Sequence, residues 1–328
     1  MMQSSANDCA ESGLAAGEVW HQPAERQSVL RAYVLAVLIF PFLLLAFGLY
    51  MMSSSWYRRH TQSVYLASIG YGARLHNANC QILVVGDSTA MENIDPSILE
   101  SRTGLTACNI AEVQPVQMVN GTYILDEYLK HNTPPRSIVF VESPQDLGNS
   151  PKWEYLPSFE GVYYRMRDVP HPGVLWMVMR HPEEMVDNAE KMLSLSVRAI
   201  GKKPLDGKGV ALREAHHGMM SAEGKPITGC QGEYETRSPD LSWLAFLRQR
   251  CQRRATRVLI DVTPLPVCAP TLTYYRDLLP PGMLDNQMGA LPVEMFSDSG
   301  SGHMMRAGSE WMSNSVADQI TGKEQVAH

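Results

Sequence analysis

Several large function classes are excluded by what this sequence lacks. It has no excess of positive charge. Its 28 Lys and Arg stand against 34 Asp and Glu, a formal net charge of −6, which argues against a broadly basic nucleic-acid surface. The six cysteines, Cys9, Cys80, Cys108, Cys230, Cys251 and Cys268, contain no C-x-x-C pair, and no paired histidines stand at ligand spacing. No zinc site or other metal centre is therefore expected, and no motif calls for a cofactor. There is no internal repeat, heptad pattern or low-complexity tract, which sets aside solenoids, coiled coils and collagen. Finally, the stretch from Ala32 to Met52 contains no charged residue.

What remains is globular. The chain has 328 residues, 45% hydrophobic and 19% charged, enough for one large domain or two ordinary ones. Nineteen Met are scattered along it, as expected of side chains that fill irregular core gaps. In an oxidising compartment some of the last five cysteines would pair, and their odd number leaves at least one free thiol.

The uncharged stretch AYVLAVLIFPFLLLAFGLYMM reads as a membrane span. Its length, at about 1.5 Å rise per residue, matches a hydrocarbon core of roughly 30 Å. Pro41 would break a soluble helix but is tolerated in a membrane one. Tyr33 at one end and Tyr50, Trp56 and Tyr57 at the other fit interfacial aromatic belts. Acidic residues precede the span and no A-x-A site follows it, so an uncleaved anchor is the expectation rather than a signal peptide. Arg26 and Arg31 before it balance Arg58 and Arg59 after it, leaving the positive-inside count tied. The short N-terminus and the later cysteines favour a main domain outside the cytoplasm, which in a bacterial envelope means the periplasm.

Residues 1–28 read as a polar tail, 29–53 as the transmembrane helix and 54–79 as a juxtamembrane helix carrying Val64, Leu66 and Ile69. The run Gln81 to Val85 is a buried strand ending at Gly86. Asp95-Pro96 supplies an N-cap and a first-turn proline for a helix to about Ser101. Leu105–Ile110 is a second strand, residues 115–131 (Val116, Val119, Ile124, Leu125, Tyr128) a helix, and Ser137–Glu142 a third strand. From Pro144 to about Pro239 the rhythm loosens into an insertion, and it returns with a helix at 241–254 and the strand Val258–Val262. A closing helix over Arg306–Ile320 places Met312, Val316 and Ile320 on one side. The order of elements predicts an α/β domain over 80–325 with a parallel sheet, preceded by one transmembrane helix.

Candidate chemistry lies at the two ends of this domain. Gly86-Asp87-Ser88-Thr89 follows the first strand, where ligands gather in open α/β sheets. No G-x-S-x-G elbow surrounds Ser88, so the usual α/β-hydrolase arrangement is excluded. A serine nucleophile needs a base and an orienting group. Of ten histidines, only His303 lies in a short loop together with a carboxylate, Asp298, just before the last helix.

Together these ends resemble the SGNH (GDSL-like) hydrolase superfamily, in its membrane-anchored bacterial branch near polysaccharide and teichoic-acid acyl-modifying proteins. The stretch DSGSGHMMRAGSEWM is similar to the D-x-x-H-L-N-x-x-G-A ending of that branch. The resemblance implies a three-layer doubly wound parallel sheet, Ser88 as nucleophile, His303 as general base and Asp298 as its orienter. It also implies an oxyanion hole, with the Ser88 N–H, Ala111 and Gln145 as candidate donors. The positions after the second and third strands lack the family's Gly and Asn. The Asp298–His303 spacing is two residues longer than D-x-x-H, so Ser-Gly must bulge for Asp298 to reach. The function implied is a membrane-tethered serine esterase or O-acyltransferase acting on acyl esters of a cell-envelope glycan. The alternative is a non-catalytic SGNH-like module that binds glycan or scaffolds an envelope or exopolysaccharide export complex. Expected partners are the lipid bilayer through residues 32–52, the glycan or acyl-ester substrate and, in the alternative, envelope proteins.

Overall fold

A computed structural model describes residues 23–54, 56, 60, 68–113, 123–148, 182–201, 213–220, 224–230, 238–279, 281–286, 288–298 and 302–322. Most of the expected tail, Val64 and Leu66 of the juxtamembrane stretch, Val116, Val119 and the greater part of the insertion lie outside the described residues.

Helix α1 (Pro23–Ser53) runs through Pro41 for 31 residues, roughly 46 Å at helical rise. Its Tyr33, Leu38, Phe40, Phe42, Leu43 and Tyr50 side chains are exposed, and among the described residues it is the one helix long and apolar enough to cross a membrane. The expected start at residue 29 is six residues late, because the polar turn Pro23–Ser28 is helical as well.

The second unit is α/β. Its elements run α2 (Tyr71–Arg74), β1 (Ile82–Gly86), α3 (Ser88–Asn93), α4 (Pro96–Thr103), β2 (Ala107–Asn109), α5 (Tyr123–Leu129) and β3 (Ser137–Glu142). They continue with α6 (Pro182–Ala199), α7 (Leu241–Gln252), β4 (Arg257–Val262), β5 (Leu265–Pro266), α8 (Leu272–Leu278), β6 (Ala290–Leu291) and α9 (Arg306–Thr321). Strands β2-β1-β3-β4 form a parallel sheet in that order, with Val84 opposite Asn109 and Val139, and Val141 opposite Asp261.

The strands are apolar on both sides because both sides are covered. Leu83, Val85, Ile138, Phe140, Val258 and Ile260 pack with Ile124, Leu125 and Tyr128 of α5 and with Leu244 and Leu247 of α7. The alternate residues Ile82, Val84, Val139, Val141 and Leu259 pack with Ala90 and Met91 of α3, Leu99 of α4, and Met312 and Val316 of α9. Truncating one such large side chain costs about 2–5 kcal/mol. The half-exposed Arg102–Asp318 pair between α4 and α9 is worth about 1 kcal/mol or less. Apolar packing therefore holds α9 on the sheet.

The elements differ from expectation mainly at their ends. Strand β2 is only Ala107–Asn109, because α4 continues to Thr103 and closes on Gly104 in a left-handed C-cap, whose N–H bonds to the Glu100 carbonyl. The short parallel pair β5–β6 and helix α8 carry too little pattern for the sequence to declare. Disulfides join Cys80 to Cys108, ahead of β1 and in β2, and Cys230 to Cys268. Cys251 is a free buried thiol, and burial pushes its pKa up to about 12, so it is chemically quiet.

Candidate active site

In the order β2-β1-β3-β4 the chain steps from β1 to one side, then returns past it to the other. The crevice at the carboxyl ends of β1 and β3 is thus the switch point, where open α/β sheets bind ligands. Gly86-Asp87-Ser88 emerges there. Gly86 sits at φ 149°, and a Cβ on it would lie 1.8 Å from the Val141 carbonyl oxygen, so only glycine lets β1 leave the sheet this close to β3.

Asp87 converts that turn into a helix start. Its Oδ1 accepts the Thr89 and Ala90 N–H groups and the Thr89 hydroxyl, and its Oδ2 accepts the Ser143 N–H at 3.0 Å. One buried carboxylate therefore caps α3 and ties the ends of β1 and β3 together. Helix α3 then turns Ala90 and Met91 into the core and puts Ser88 and Glu92, four residues apart, on a common side.

His303 meets both. The Ser88 Oγ lies 3.0 Å from His303 Nε2, and Glu92 Oε2 lies 3.0 Å from His303 Nδ1. The His303 side chain is 11% exposed and that of Glu92 is fully buried. Burial pulls the His303 pKa down, but the Glu92 carboxylate at 3.0 Å, with Asp87 behind it, outweighs that and holds the imidazole above its ordinary value. The His303 carbonyl accepts the Ser297 N–H at 2.9 Å.

Asp298 is not the carboxylate on His303, which corrects the expected orienter. Its Oδ1 accepts the Lys225 N–H at 2.8 Å and its own N–H donates to the Lys225 carbonyl at 2.9 Å. Pro226 also bridges to Ser297, so residues 225–227 of the insertion draw Asp298 into a backbone ladder away from the ring. The long Asp298–His303 spacing signalled this. The signal for Glu92 was the helical i, i+4 step from Ser88, overlooked because the family pattern looks for the carboxylate beside the histidine.

The expected oxyanion donors separate as well. The Ala111 N–H donates to Asn109 Oδ1 at 3.1 Å and its carbonyl accepts from the buried Arg213, so Ala111 is removed as a donor. Asn109 is itself occupied, donating to the Ala90 and Ile94 carbonyls at the end of α3. Gln145 lies half-buried in the 3-10 turn Pro144–Gly148 that follows β3, at the same end of the sheet as Ser88. The Ser88 N–H heads α3 and is not among those taken by Asp87. With only six residues, α3 offers little macrodipole, so individual N–H groups are what it brings.

The arrangement brings a hydroxyl and a carboxylate to the two nitrogens of one imidazole. Such a group can pass a proton from Ser88 Oγ to His303 Nε2 while the carboxylate holds the ring's other nitrogen. Among the described residues no group of three or more His, Cys, Asp or Glu is placed to hold a metal ion. Compared with protein-family models, curated proteins and solved structures, the chain finds no match.

Proposed function

We propose that this chain is a membrane-tethered serine esterase or O-acyltransferase built on an SGNH-like three-layer doubly wound fold. The observation that carries the reading is the Ser88–His303–Glu92 set, with 3.0 Å between each pair of facing atoms. Neutral His303 takes the Ser88 proton as Oγ attacks an ester carbonyl. It then returns that proton to the departing alcohol, leaving an acyl-Ser88 ester. Water resolves the acyl-enzyme in an esterase, and a sugar hydroxyl resolves it in a transferase. The resemblance of GDST and the C-terminal loop to polysaccharide acyl-modifying proteins supports acyl esters of an envelope glycan as substrate. The uncharged stretch Ala32–Met52 within helix α1 supports anchorage in a bilayer. The two disulfides support an oxidising, periplasmic setting for the α/β unit.

One observation favours a second reading, a non-catalytic module that binds glycan or scaffolds an export complex. The Ala111 N–H, at the family's second oxyanion position, is already bonded to Asn109. A fluorophosphonate probe on the full-length chain in mild detergent separates the two. Covalent labelling that disappears in Ser88→Ala is the expected result. An unlabelled wild-type protein from mildly acid to mildly alkaline pH excludes the enzyme and leaves the binding module.

A further inference from the structure

We infer that Asn93 is a positioning residue that holds the main chain of His303 in register with Ser88 and Glu92; the inference rests on the reading of His303 as general base. Asn93 closes α3 and is fully buried. Its Nδ2 donates to the Gly302 carbonyl at 2.7 Å, and its Oδ1 accepts the Met304 N–H at 2.9 Å. A carbonyl facing one end of the amide and an N–H facing the other fix which end is which.

These two groups belong to the peptide units immediately before and after His303. One side chain therefore grips the backbone on both sides of the histidine. Glu92, the preceding residue, contacts the ring of the same histidine. Consecutive residues of α3 thus set the ring and the main chain of His303, on the helix that also begins with the nucleophile. The C-terminal end of that helix is secured in turn. The Asn93 carbonyl accepts the Ser313 hydroxyl of α9 at 3.3 Å, and Ser313 accepts the Asp95 N–H at 2.8 Å.

A buried amide that merely satisfies loop peptides makes the same bonds, but it predicts a stability effect alone. A positioning role also predicts a change in His303 itself. Without the clamp the imidazole is free to drift from Glu92, and its pKa falls toward the ordinary value near 6.5.

The test uses full-length protein in mild detergent with two readouts. One is the rate of fluorophosphonate labelling against pH. The other is the NMR titration of the His303 Cε1–H signal, assigned by its loss in His303→Gln. In Asn93→Ala the His303 titration shifts to lower pH, and labelling slows by about 10- to 100-fold, the scale of a 1 Å misplacement. Asn93→Asp has nearly the same volume, keeps the acceptor for Met304 and, above the pH at which that buried carboxyl ionises, has no donor for Gly302. It labels at a rate between wild type and Asn93→Ala, and it decides the matter if the alanine variant does not fold. Wild-type labelling in Asn93→Asp, or an unmoved His303 titration in a folded Asn93→Ala, overturns the inference. If the wild-type chain is not labelled at all, the enzymatic reading fails, and the His303 titration still decides whether Asn93 sets that ring.

Discussion

Glu92 and His303 face each other at 3.0 Å across 211 positions of sequence, with the carboxylate fully buried and the imidazole nearly so. A carboxylate on Nδ1 selects the tautomer that leaves Nε2 free to accept the Ser88 proton. Glu92→Gln keeps the volume and removes the charge. Labelling of Ser88 is expected to fall on the order of 10³-fold or more, by analogy with carboxylate-to-amide changes in serine triads. The pH profile adds a sign. Glu92 raises the His303 pKa, so the wild-type rate drops on the acid side as pH falls through that raised value. In Glu92→Gln the remaining activity should hold to lower pH. An unchanged rate and profile would remove Glu92 from the site.

Asp298 provides the converse test. It bonds the backbone of Lys225 and not the His303 ring, so Asp298→Ala should leave the His303 titration where it is. The loss of the bond to the Lys225 N–H should cost about 1 kcal/mol in thermal or denaturant unfolding. A downward shift of the His303 titration in this variant would return the orienting role to Asp298.

Gly302 precedes the histidine at φ +81°, and a Cβ there would stand 3.2 Å from Thr263 Oγ1 and 3.3 Å from Thr89 Cγ2. Gly302→Ala is therefore both strained in its backbone, by about 1–2 kcal/mol, and tight against two side chains. The expected outcome is a folded protein with a lowered melting temperature and slower labelling, because strain beside His303 moves its ring relative to Ser88. Labelling at the wild-type rate would show that the loop absorbs the methyl group elsewhere.

Asp261, the penultimate residue of β4, is fully buried, and its Oδ2 accepts from Gln319 of α9 at 2.8 Å. Burial pushes its pKa up to about 7, with Gln319 pulling the other way and Asp285 adding to the rise. A carboxyl whose folded value is raised stabilises the fold fully below its unfolded pKa and loses that stabilisation as pH climbs through the folded value. Wild-type stability should thus decline between about pH 4 and 7, by on the order of a few kcal/mol at most. Asp261→Asn keeps an acceptor for Gln319 and cannot ionise, so its melting temperature should be much flatter across that window. A decline as steep as in the wild type would assign the pH dependence to another group.

The sequence alone determined the features that come from local pattern. Strands Ile82–Gly86, Ser137–Glu142 and Arg257–Val262 are legible because a parallel strand covered on both faces must be a short unbroken apolar run. Helix α4 is legible from Asp95-Pro96 and α9 from the spacing of Met312 and Val316, since caps and helical period are properties of neighbouring residues. The absence of charge from Ala32 to Met52 marked α1 in the same way. Ser88 and His303 could be named because one follows the first strand and the other opens the last helix. Which groups touch was decided only by tertiary structure. Asp298 is five residues from His303 in the chain and bonds elsewhere, while Glu92 is 211 away and adjoins it. Proximity along the chain says little once a backbone ladder to residues 225–227 turns a side chain aside. Ala111 shows the same limit, for its N–H is exposed or consumed according to where the Asn109 side chain folds back. The elements follow from local preference, but the site arises where α3 and the loop before α9 are pressed together over the switch point of the sheet, and only packing brings those two segments within hydrogen-bond reach.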